Sequence, residues 1–146
     1  MSDRLRKIVE YILITEKMTN LRLQKILYFI QAFSLISTGH PLFKEDILAW
    51  QYGPVVKEVY DEYKQWKSMK IPMPVFYSDT LDDEERNIIK KVLSGLEKYS
   101  TAELVNMTHS YDTWKKTYIM NENNIISKGE IQKYHANRLQ CGRAPF

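Results

Sequence analysis

Leu5, Ile8, Val9, Ile12 and Leu13 fall at steps of three and four with charges between them, the spacing that lays one apolar stripe along a helix starting at Ser2 or Asp3. A second helix is predicted from Thr19 or Asn20, either a good N-cap. Its stripe of Leu23, Ile26, Leu27, Ile30 and Phe33 is joined by Leu21, Tyr28, Phe29 and Leu35, so this helix is expected to be buried on most sides. It should stop before "TGHPLF", where Gly39 suits a left-handed cap and Pro41 cannot continue the ladder.

The period then changes. In "ILAWQY" the residues Leu48, Trp50 and Tyr52 alternate with Ala49 and Gln51, which predicts a short strand. Pro54 fits the first turn of a following helix, with Val55, Val59, Tyr63 and Trp66 on its apolar face and Gly53 at the corner. Pro72 and Pro74 exclude helix and central strand, leaving Val75 to Tyr77 as an edge strand paired with the stretch from Leu48 to Tyr52. Beyond it, Thr80 with Asp83, Ser100 with Glu103 and Ser127 with Glu130 carry capping-box spacing. The helices they open bear Leu81, Ile88, Ile89, Val92 and Leu96, then Leu104 and Val105, then Ile131, Tyr134 and Leu139. Asp112 can cap a further turn at Trp114. The pattern predicts a mainly α, compact single-domain fold of about six to seven helices, with a small two-stranded β element near 47–52 and 75–77. "CGRAPF" has no helical period and reads as a loose tail, native or vector-derived.

Composition narrows the function without naming it. At 146 residues the chain has the size of one domain, and its 44% hydrophobic and 27% charged residues fit an ordinary globular protein. Cys141 is the single cysteine, so no intramolecular bridge or cysteine-built zinc site is available, and a reducing, cytoplasmic setting is expected. No apolar run approaches the ~18 residues of a membrane span. The charge of +3, from 21 basic and 18 acidic residues, is too small and scattered for a nucleic-acid footprint.

Motifs for catalysis are missing: there is no GxSxG, HExxH, CxxC, Walker loop or GxGxxG. No catalytic, metal or cofactor residue is therefore assigned. The acidic pairs Asp61–Glu62 and Asp82–Asp83 sit where helix starts and solvated faces explain them. His109, within "NMTHSYDTW", reads first as a partly buried residue fixing a turn and second as a base working with Asp112. Trp50 and Trp114 read as core, while Tyr52 and Trp66 stay open between core and interface.

The stretch from Arg22 to Lys64 resembles the Panacea domain of SocA-like antitoxins, a family that includes phage-associated GepA-like proteins. The resemblance rests on Leu23, Gln24, Lys25 and Tyr28, on Gly39 with Pro41-Leu42-Phe43, and on Trp50, Tyr52-Gly53-Pro54-Val55 and Tyr60. Thr108, His109 and Trp114 are similar to its THxxxPW element, with Thr113 in the place of the usual proline, which implies a looser turn before Trp114. It spans about residues 1–139, leaving 140–146 as the tail.

The resemblance implies an antitoxin, not an enzyme, that binds a cognate protein toxin in the cytoplasm, encoded in a toxin-antitoxin or prophage locus. It also implies a second reading, an adaptor that hands the toxin to a protease; a DNA-binding regulator of its own operon stays open as an alternative. Neither binding nor delivery requires a cofactor. On this reading Tyr52, Gly53, Pro54, Lys57, Tyr60, Trp66 and His109 contact the partner, and Trp50 wedges the strand into the helical core.

Overall fold

Helix α2, Asn20–Thr38, is the axis of the fold because it is buried on nearly every side. In the computed structural model, which describes residues 1–146, Leu23, Ile26, Leu27, Tyr28, Phe29, Ile30 and Ala32 of α2 are all fully buried. Thr19 accepts the Arg22 N–H at its start, and Gly39 ends it in the left-handed region at φ 79°. Helix α1, Asp3–Thr15, is capped by Ser2 and adds Leu5, Ile8, Val9, Ile12 and Leu13 to the same core.

The remaining elements are β1 (Ile47–Trp50), β2 (Gly53–Val55), α3 (Lys57–Tyr63, running into a 3-10 turn to Trp66), α4 (Asp83–Leu96), α5 (Thr101–Ser110), α6 (Asp112–Lys115), β3 (Ile125–Ile126) and α7 (Lys128–Gln140). The fold is thus mainly α, with seven helices. Helices α4, α5 and α7 pack on α2, as do α3 and β2.

The sheet differs from the sequence expectation. Its order is β2-β1-β3, all antiparallel, with Leu48 opposite Val55, Trp50 opposite Gly53, and Ile47 opposite Ile126. Residues 75–77 form no strand, and Val75 and Phe76 are 88% and 89% exposed. Both edges of β1 are already taken, so nothing remains for them to pair with. Pro54 belongs to β2, and the helix opens at Lys57 instead. A strand residue aims its C=O and N–H to the same side. The Pro54 carbonyl faces α2, so its missing donor takes nothing from the ladder.

Three local expectations also shift. The capping box of α4 is Asp82 with Glu85, because the Asp82 carboxylate reaches the Glu85 N–H at 2.8 Å. Thr113 is buried and its hydroxyl bonds Tyr28 Oη at 2.7 Å, so a hydrogen bond tethers the turn to α2 where the family pattern has a ring. Residues 141–146 do not hang free, since the Phe146 ring packs edge-on against Phe29 at 5.0 Å and Arg138 binds the Ala144 carbonyl at 3.0 Å.

Candidate functional site

The first turns of α2 hold the hairpin from behind. Gln24 accepts the Val56 N–H at 2.8 Å and donates to Asn20 Oδ1 at 2.9 Å, while Asn20 donates to the Tyr60 carbonyl at 3.2 Å. Lys25 Nζ donates to the Pro54 carbonyl at 2.9 Å. The outer edge of β2 is therefore satisfied by side chains of α2 where a further strand would otherwise pair.

Lys25 is fully buried, and that burial pushes its ammonium down from 10.5 to about 7. A Cβ on Gly53 would lie 2.9 Å from both Lys25 Cε and Thr108 Oγ1, and Gly53 has φ +109°, so only glycine fits there. Lys25, Gly53 and Thr108 thus lock α2, the hairpin and α5 at one point.

An aromatic column stands beside this lock. The His109 ring stacks on Trp114 at 4.1 Å and Trp114 on Tyr118 at 4.8 Å. Trp114 Nε1 donates to the Trp50 carbonyl at 2.8 Å, tying α6 to β1. His109 is held below its ordinary pKa, chiefly by burial and further by the Lys25 charge, with the Gln51 carbonyl pulling the other way. Asp112 pairs with Lys116 at 3.7 Å and is not brought onto His109, so the pair does not assemble as a catalytic dyad.

In front of the hairpin lies an open groove of about 630 Å³. Trp50 and Tyr60 meet edge to face in its wall at 5.1 Å, and the Trp50 ring is pinned by its bond to Asn123 Oδ1 at 2.9 Å. Tyr52, Val55, Leu21 and Met120 add apolar surface, and Lys64, Lys67 and Glu122 the charge.

The expected partner residues are divided by this geometry. Tyr52, 62% exposed, and Tyr60 line the groove. Lys57 is exposed but paired with Asp61 at 2.6 Å, and Trp66 packs partly against the core. Gly53 and Pro54 are buried, so they shape the hairpin and offer no surface to a partner. His109 lies behind the hairpin, on Trp114.

Trp50 does not enter the core. Ile47 and Ala49 face it, and the alternate face of β1 carries Trp50 outward to the groove. Trp114 is likewise only half-buried. The signature residues Leu23 and Tyr28 are core, the latter joined to Thr113 and, at 2.8 Å, to His135 Nε2.

Sequence reasoning missed Tyr118, Met120, Asn121 and Asn123, which reach the groove from the connection between α6 and β3. No period marks that segment. The one available signal was the apolar pair Ile119-Met120 in a polar stretch, and both prove exposed.

Comparison with known proteins gives a consistent result. Residues 23–115 match the family described as antitoxin SocA-like, Panacea domain. The chain is 28% identical over 103 residues to the antitoxin SocA of Caulobacter vibrioides (strain NA1000 / CB15N), a match covering 63% of this chain and 55% of that relative. No solved structure matches.

Proposed function

The chain belongs to the antitoxin SocA-like Panacea-domain family, and on that premise we propose that it is a protein-binding module that neutralises a cognate toxin by direct contact. The observation that supports this reading is the groove. It displays Trp50 and Tyr52 on a hairpin that Gln24, Lys25 and Gly53 hold from behind, with Tyr60 of α3 beside them. Aromatic side chains carry much of the energy of protein interfaces, and a preformed surface loses little entropy when a partner docks. Neutralisation by contact needs no bond-making step, so the groove alone suffices for it.

The test is co-expression with the product of the adjacent open reading frame, scoring growth and recovery of a complex. Growth should be restored, and the two products should purify together. Tyr52→Ser should leave folding unchanged yet weaken the complex by about ten-fold or more, the effect of truncating an interface anchor. Protection without any complex would defeat the reading. Protection that requires an intact cellular protease would replace it with delivery for degradation, and salt-sensitive retention of operon DNA would replace it with transcriptional control.

A further inference from the structure

Two residues other than glycine have positive φ, Lys67 at φ 52° with ψ −121° and Asn121 at φ 63°, and both line the groove. Asparagine tolerates positive φ; lysine there is strained and persists only where its surroundings fix it. The strain sits at the end of the 3-10 turn that follows α3 and places a lysine on the groove lip.

The charges of the lip are unequal. Lys64 shares Asp61 with Lys57, whereas Lys67 enters none of the chain's ion pairs. Against these two cations the lining carries one carboxylate, Glu122. The wall is aromatic, with the Trp50 ring bonded to Asn123, and Leu21 at the start of α2 adds an apolar surface 40% exposed. Gln51 and Asn121 add exposed carboxamides to the lining. A carboxamide presents a donor and an acceptor side by side, the complement of the N–H and C=O of an extended backbone.

We infer that the groove binds an extended segment of the partner protein bearing one large apolar side chain next to an acidic residue. The apolar side chain seats on Trp50 and Tyr60, the segment's backbone meets the carboxamides of Gln51 and Asn121, and its carboxylate pairs with Lys67. The volume of about 630 Å³ lies within the range that encloses a ligand larger than a single side chain. Nucleic acid is disfavoured by the same inventory, because two lysines opposed by Glu122 would neutralise few phosphates. This inference rests on the protein-binding reading and specifies the chemistry of the partner.

The experiment titrates the isotopically labelled full chain with four probes and follows the Trp50 indole N–H and the Gln51 and Asn121 carboxamide resonances. The probes are a capped Gly/Ser decapeptide carrying one leucine beside two aspartates, its lysine-for-aspartate counterpart, its serine-for-leucine counterpart, and decathymidylate. The acidic leucine peptide should shift those resonances, and each peptide counterpart should bind about five-fold more weakly. Lys67→Glu should abolish the preference for aspartate. Lys67→Gly, which relieves the positive-φ backbone and so preserves folding, should weaken binding of the aspartate peptide by about five-fold. No shift at these sites, equal binding of the lysine peptide, or tighter binding of decathymidylate would each overturn the inference. A toxin complex indifferent to Lys67→Glu would also overturn it while leaving the protein-binding reading intact. Peptide binding as expected, together with failure to recover any toxin complex, would uphold the groove chemistry and overturn the antitoxin reading.

Discussion

Lys25→Met exchanges a buried ammonium for an uncharged unbranched side chain, and its effect should depend on pH in a way that reports the charge. Lys25 is wholly inaccessible, donates to the Pro54 carbonyl at 2.9 Å, and has its ammonium driven by burial from 10.5 to about 7. Between those values the unfolded chain holds more protons than the folded one, so stability rises with pH across the window. The destabilisation from burying the charge is complete below the folded value and vanishes above the unfolded one. One pKa unit corresponds to ~1.4 kcal/mol, so between pH 7 and 9 the lysine protein should gain about 2 kcal/mol relative to the methionine variant; the gain falls short of the full two units because deprotonation is only half complete at the start. His109 is the titratable group that feels this charge, and its own contribution largely cancels because both proteins contain it. Urea denaturation of both proteins at both pH values, followed by circular dichroism, gives the double difference directly. If the two stabilities changed in parallel, the amine would not be desolvated and the buried lock would be misdescribed.

Gly53→Ala should destabilise by about 2 kcal/mol or more, because its Cβ meets Lys25 and Thr108 at 2.9 Å on a backbone at φ +109°. Gly39→Ala, at φ +79° in open space, should lose only about 1 kcal/mol, and the thermal midpoints of the two variants separate contact from strain. Tyr28→Phe should lose about 1–3 kcal/mol by leaving Thr113 and His135 buried without their shared partner, read by urea denaturation. Removing residues 141–146 should cost about 1 kcal/mol of aromatic packing and, by uncovering His135, raise its pKa from about 4 toward 6.5, observable in the imidazole proton shifts.

Helices were legible because their signals are local. Ser2, Thr19, Ser100 and Ser127 each cap the helix they precede, and α2 reads as central from its all-round apolarity. The hairpin was harder, since Gly53-Pro54 is equally compatible with a helix start and with an edge strand. Only the side chains of Gln24 and Lys25, some thirty positions earlier, decide between them. The same holds for β3, two residues long and recognisable only once Ile126 meets Ile47. Tyr52 and Tyr60, singled out from their place near the corner, both line the groove. The far wall was not legible, because Asn123 arrives by accepting from Trp50 Nε1 and Tyr118 by stacking on Trp114, contacts that no spacing encodes.

The way α2 closes the edge of β2 also divides what evolution can change here from what it cannot. A helix turns about 100° per residue, so a single insertion between Thr19 and Gln24 would swing both clamping side chains away from the strand and release the hairpin. The tip at Gln51 and Tyr52 carries no such constraint, being exposed and outside the ladder. The tip and the lips of the groove can therefore be redrawn while the frame that presents them stays unaltered.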